Sequence, residues 1–86
     1  MYRTIDDMLA AAVRFASHDL ERYPDVCVED AASEAAWNAA GAGYGSNSLS
    51  SIQFQLEERG VEIDARDDVV KVLRAWLYAE ALPQLA

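Results

Sequence analysis

The sequence predicts an all-α fold: a small bundle of about four helices formed by a single domain over residues 1–86. Apolar residues recur at the three- and four-residue spacing of helical faces, and Ser, Thr or Asp stands before each of these segments. Alanine, the strongest helix former, is frequent. A chain of this length buries only about 60 to 65% of its unfolded surface, so one core is expected. An α+β fold with a short β-hairpin at about 51–63 remains the alternative.

The first helix is predicted between Thr4 and Arg22. Its apolar face consists of Ile5, Met8, Leu9, Ala12, Val13, Ala16 and Leu20. Thr4 can serve as the N-cap, and Asp6 and Asp7 lie in the first turn, where the helix dipole favours negative charge. Pro24 ends the helix.

The second helix is predicted to begin at Asp30 as N-cap and to end at Gly41. The segment between them is rich in alanine, which favours helix but buries little apolar surface. Trp37 is its only large apolar residue. We therefore expect Trp37 to anchor this helix in the core.

The segment that follows, GAGYGSNSLSS at 41–51, is glycine-rich. A phosphate-binding loop would require a preceding strand and a lysine, but an alanine-rich helix precedes it and the only lysine is Lys71. The simplest interpretation is a helix stop followed by a helix–helix connection. Tyr44 and Asn47, among glycines and serines, also have the composition of an adaptable contact loop.

Two structures compete for residues 51–63. Ser48 or Ser50 can start a helix here, and Ser50 with Gln53 forms a possible capping box. Gly60 can end this helix, whose apolar face is Leu49, Ile52 and Leu56. Ile52, Phe54 and Leu56 also alternate with glutamines, and Val61 and Ile63 alternate with acids, which is the pattern of a short β-hairpin that turns at 58–60. We favour the helix because a lone hairpin needs a third strand, and no other segment predicts one.

The last helix is predicted to begin at Asp64, with Asp67 and Asp68 in its first turn and Pro83 beyond its end. This helix is apolar nearly all round, so it lies either at the centre of the bundle or at a self-association face. In the second case the chain would form a homodimer. The predicted interface residues are Val69, Leu73, Trp76, Leu77 and Leu82.

Catalytic and metal-binding residues are scarce in this sequence. His18 and Cys27 are the only histidine and cysteine, so no nucleophile–base pair and no zinc ligand set can be assembled. We predict a protein that is not an enzyme and has no metal or cofactor. A single cysteine fits a reducing, cytoplasmic location. The apolar runs are shorter than the ~20 residues of a membrane span, and the N-terminus does not resemble a secretion signal.

The strongest compositional feature is the net charge of −8, from 15 acidic and 7 basic residues. This charge disfavours direct binding to nucleic acids and to anionic membranes, and it favours a partner with a basic surface. The acids are densest between residues 57 and 68. They are Glu57, Glu58, Glu62, Asp64, Asp67 and Asp68.

With this acidic run, acids at helix ends where the dipole opposes them, and Tyr44 in the glycine segment, the chain resembles small acidic inhibitors encoded by phages and plasmids. That group includes anti-CRISPR and anti-restriction proteins. The resemblance implies a protein–protein interaction module that occupies a basic, nucleic-acid-binding surface of a host complex. The six acids of the run, Tyr44 and Asn47 are the predicted contact residues. The alternative is the homodimer, acting as a structural or regulatory assembly subunit.

Overall fold

A computed structural model describes residues 3–85 and confirms the all-α fold. Four helices follow one another: α1 (Ile5–Arg22), α2 (Val28–Ser46), α3 (Leu49–Glu58) and α4 (Val69–Leu85). No strand occurs within residues 3–85, so the alternative β-hairpin at 51–63 is wrong. None of the helices in this range is long and apolar enough to cross a membrane.

Helix α1 has the predicted bounds. The Thr4 hydroxyl accepts a hydrogen bond from the backbone N–H of Asp7 at 3.1 Å, so Thr4 is the N-cap. At the other end the backbone N–H of Tyr23 donates to the carbonyl of Asp19 at 2.7 Å, immediately before Pro24. The inward face of α1 is fully buried. It includes Ile5, Met8, Ala11, Ala12 and Ala16.

Helix α2 is longer than predicted at both ends. It begins at Val28, so Asp30 lies in its first turn and is not the N-cap. It also continues through Gly41 to Ser46, because none of Gly41, Gly43 and Gly45 takes the positive φ that would end a helix there. The actual end is at Asn47, whose side-chain amide donates to the carbonyl of Gly43 at 2.9 Å.

The core face of α2 is made of alanines. They occur in pairs four residues apart, and each is at most 1% exposed: Ala31, Ala32, Ala35, Ala36, Ala39 and Ala40. Because this face turns inward, Trp37 falls outside the core and is 61% exposed. The prediction that Trp37 anchors α2 in the core is therefore wrong. Because these side chains are only methyl groups, α2 can lie close to α1 and α4. The short distance between the helices fills the core in place of larger side chains.

Helix α3 begins after Ser48, whose hydroxyl accepts from the backbone N–H of Ser51 at 3.1 Å. Of the two serines predicted to start this helix, Ser48 is the cap and Ser50 lies inside the helix. Gly60 follows the helix with φ of 84°, a left-handed conformation suited to glycine, so the predicted stop is confirmed. Ile52 and Leu56 are fully buried.

Helix α4 begins five residues later than Asp64, the predicted N-cap. The carboxylate of Asp68 accepts from the backbone N–H groups of Val70 and Lys71, so Asp68 has the capping role. Pro83 lies inside the last turn and not beyond the helix. Because proline has no N–H, the last turn of α4 has one intrahelical hydrogen bond fewer than a regular helix.

Helix α4 packs against each of the other three helices. Leu73 and Leu77 are its largest fully buried residues. They meet Ile5 and Met8 of α1 and the buried residues of α3 in one hydrophobic cluster. The bundle thus has a mixed core, with large side chains from α1, α3 and α4 and small ones from α2.

Candidate protein-interaction surface

The structure divides the acidic run of residues 57–68 into two groups. Asp64, Asp67 and Asp68 accept hydrogen bonds from backbone N–H groups in the connection between α3 and α4 and in the first turn of α4. Asp67 accepts from the N–H of Asp64 at 2.7 Å, and Asp64 accepts from the N–H of Arg66 at 3.1 Å. With Asp68 capping α4, these three acids shape the chain locally, and their presence is explained by the fold.

Glu57, Glu58 and Glu62 form the second group. All three are exposed, and no ion pair or hydrogen bond of their side chains occurs within residues 3–85. Glu57 and Glu58 end α3, where the dipole disfavours negative charge. The neighbouring Arg59 does not neutralise them, because its guanidinium pairs with Asp6 of α1. The fold does not account for these three charges.

Phe54 is a surface residue that the sequence analysis did not assign to a site. Its side chain is 63% exposed, the largest value among the exposed large apolar residues of the described chain. Positions three and four residues apart are neighbours on a helix, so Phe54 lies beside Glu57 and Glu58. We use the name α3 acidic patch for Phe54, Glu57 and Glu58 together with Glu62, which is exposed in the connection that follows α3.

The sequence contained a signal for Phe54. Once Ile52 and Leu56 are placed on the buried face of a helix, residue 54 lies 200° around the helix from each of them, on the opposite side. The alternation of Phe54 with glutamines obscured this, since the same pattern is typical of a strand.

Tyr44 and Asn47, the two contact residues predicted in the glycine segment, do not belong to the α3 acidic patch. Tyr44 is on the outer face of α2, in its last turn, and is 49% exposed. Asn47 is half-buried and bonds to the end of α2. Tyr44 therefore belongs to a helix and not to a mobile connection, and Asn47 has a structural role.

The five residues of the predicted dimer interface do not share one exposed face. Leu73 and Leu77 are fully buried within the chain. Val69 and Trp76 are half-buried and pack against the core, and Leu82 is half-buried. Leu73 and Leu77 thus offer no surface to a second copy in this conformation.

Histidine, cysteine and acidic side chains are the residue types that could bind a metal ion or take part in catalysis. Within residues 3–85, no three His, Cys, Asp or Glu side chains lie close enough together to hold a metal ion. His18 is exposed on α1.

Cys27 is exposed at the N-cap of α2, where its side chain makes no capping hydrogen bond. The backbone N–H of Asp30 favours the thiolate, but the Asp30 carboxylate, slight desolvation and the Glu29 carboxylate outweigh it. Together these raise the pKa of the thiol above its ordinary value. This is the opposite of the shift that activates a cysteine nucleophile.

A groove lies between α2 and α4, with a volume of about 200 Å³. It is lined by Ser33, Ala36, Trp37, Arg74, Ala75 and Tyr78. The guanidinium carbon of Arg74 stacks over the Trp37 ring, 3.6 Å from the ring centroid. This cation–π contact explains how an outward-facing tryptophan is held on the surface.

No protein-family model matches the chain, and neither a curated protein nor a solved structure is significantly similar to it.

Proposed function

We propose that this protein is a non-enzymatic interaction module that binds a basic surface of a partner protein through the α3 acidic patch. The observation that carries the proposal is a set of three exposed glutamates, Glu57, Glu58 and Glu62, that form no ion pair within residues 3–85. The exposed ring of Phe54 lies one helical turn before Glu57 and Glu58. A buried aromatic side chain is a common anchor of a protein interface, and charges at its rim contribute mainly to long-range attraction.

The two kinds of side chain have different roles in this proposal. The glutamates, in a molecule with net charge −8, attract a basic partner at long range and raise the association rate. Phe54 loses water-exposed apolar surface when it is covered, and this slows dissociation. The partner surface that fits is a basic groove with an apolar floor.

Basic grooves of this kind occur where proteins bind nucleic-acid backbones. A dense set of carboxylates can occupy such a groove in place of phosphates. We therefore propose an inhibitory role, similar to that of anti-CRISPR and anti-restriction proteins, in which the module and a nucleic acid compete for the same partner surface. Cytoplasmic action follows from this role.

The experiment is capture of partners from a bacterial lysate on immobilised protein, followed by competition with duplex DNA and with RNA. The expected result is a basic protein that is released by nucleic acid and that binds less tightly as salt concentration rises. Phe54→Ala should lose the captured protein, whereas Phe15→Ala, which removes an exposed phenylalanine from α1, should keep it. A captured protein whose binding ignores nucleic acid, salt and Phe54 would contradict the proposal.

A further inference from the structure

We propose that the groove between α2 and α4 binds a small planar monocarboxylate, such as an aromatic acid. In this site Arg74 binds the carboxylate, and Trp37 holds the guanidinium in place and provides apolar surface. The site is separate from the α3 acidic patch and does not depend on it.

Arg74 has no anionic partner within residues 3–85. Its guanidinium is stacked on Trp37, and no carboxylate or carbonyl within residues 3–85 accepts a hydrogen bond from it. Stacking covers a face of the planar guanidinium and leaves the N–H groups along its edge free to donate. An immobilised guanidinium edge matches the two oxygens of a carboxylate.

The groove is small and is lined in part by small side chains. Three of its six lining residues are small: Ser33 and Ala36 from α2 and Ala75 from α4. The larger Tyr78 lines it one helical turn beyond Arg74. A volume of about 200 Å³ is below the range of about 300 to 1,000 Å³ typical of drug-sized ligands, so a single-ring acid fits better than an extended molecule.

The lining of the groove contains two hydroxyl groups and one positive charge. The hydroxyls of Ser33 and Tyr78 make no hydrogen bond within the described part of the chain, so both can bind a polar group of the ligand. The net charge of −8 repels polyanions at long range, while one local guanidinium can compensate one negative charge. The site therefore suits a monoanion better than a nucleotide.

The test is a titration with benzoate in which the NMR signal of the Trp37 indole N–H is monitored. The indole of Trp76, which does not line the groove, is the internal reference. Benzoate should give saturable shifts at Trp37, and uncharged benzamide should give little. Arg74→Gln should weaken benzoate binding roughly tenfold or more, since it removes a charged hydrogen-bond donor. Arg14→Gln, which removes the same charge from the exposed side of α1, should not.

Three outcomes would overturn the proposal. The first is a linear, non-saturating response to benzoate. The second is an equal effect of Arg74→Gln and Arg14→Gln, which would indicate nonspecific charge attraction. The third is binding of benzamide as tight as that of benzoate, which would show that the groove recognises the ring and not the carboxylate. The NMR spectra of the two variants report at the same time that both are folded.

Discussion

The side chain of Met8 in α1 fills the space where a Cβ atom on Gly43 of α2 would lie. The sulfur and both flanking carbons of Met8 are closer to that position than ordinary packing permits, and Met8 is fully buried. Gly43 is thus the point at which α2 passes directly over an α1 side chain, and any side chain at this position would force Met8 to move.

Replacing this glycine should therefore lower stability. Gly43→Ala gains about 1 kcal/mol of helix propensity but forces a buried methionine to move, which costs about 1 to 3 kcal/mol. We expect a net loss of about 1 kcal/mol in the free energy of unfolding, measured by urea denaturation. Gly41→Ala is the matched control: it lies in the same helix with nothing near its Cβ position, so it should gain about 0.5 to 1 kcal/mol. Equal effects at the two positions would contradict the close approach.

Gln55 joins α3 to the start of α1. Its side-chain oxygen accepts from the backbone N–H of Ile5 at 2.8 Å, in a partly buried position. Gln55→Ala leaves that N–H without its partner and should cost about 1 to 2 kcal/mol. Gln53→Ala, a half-buried glutamine with no hydrogen bond of its side chain among residues 3–85, should cost less. The denaturant midpoints of the two variants are compared. A larger loss of stability in Gln53→Ala than in Gln55→Ala would contradict the role of the hydrogen bond between Gln55 and Ile5.

The division of the acidic run predicts different effects on stability. Asp68→Ala removes the α4 cap and should cost about 0.5 to 2 kcal/mol, whereas Asp68→Asn keeps a capping oxygen and should remain close to wild type. Glu62→Ala should change stability by no more than about 0.5 kcal/mol. Thermal unfolding of the three variants measures this, and a destabilised Glu62→Ala would show that the division is wrong.

The raised pKa of Cys27 gives a prediction with a definite sign. A raised pKa means that less thiolate is present at any pH below it, so the thiol reacts slowly. Asp30→Asn removes the carboxylate that raises the pKa and leaves the backbone N–H that lowers it. Alkylation by iodoacetamide at pH 8 should therefore become faster. Glu34→Gln, one turn further along α2, should leave the rate unchanged, and a slower reaction in Asp30→Asn would contradict the assignment.

The sequence predicted the helices better than their ends. Spacing and capping residues located α1 fully, since Thr4 and Pro24 leave no alternative. The end of α2 was mispredicted because glycine was taken as a stop, but a glycine can also serve close packing, as Gly43 does against Met8. Only the partner helix distinguishes the two uses. The start of α4 was mispredicted because Asp64, Asp67 and Asp68 are all suitable N-cap residues. In the structure Asp64 and Asp67 accept hydrogen bonds within the preceding turn, and Asp68 caps the helix.

The surface was harder to predict than the core. The pairing of alanines on α2 already implied that Trp37 faces outward, but the rule that large apolar residues are buried outweighed it. The stacking of Arg74 on Trp37 joins residues 37 positions apart in the chain, and no local pattern indicates such a contact. The separation of structural from unpaired acids likewise required the hydrogen bonds of the folded chain.

The most direct test of the proposed function compares two triple variants that have the same net charge. One, Glu57→Gln/Glu58→Gln/Glu62→Gln, neutralises the α3 acidic patch. The other, Glu21→Gln/Glu34→Gln/Glu80→Gln, neutralises exposed glutamates elsewhere. The measurement is the dissociation constant for the captured basic partner at low and moderate salt. We predict that the patch variant binds roughly tenfold or more weakly, with a reduced salt dependence, while the other triple variant stays near wild type. Equal weakening of the two would show that only net charge matters, and would contradict a binding site on α3.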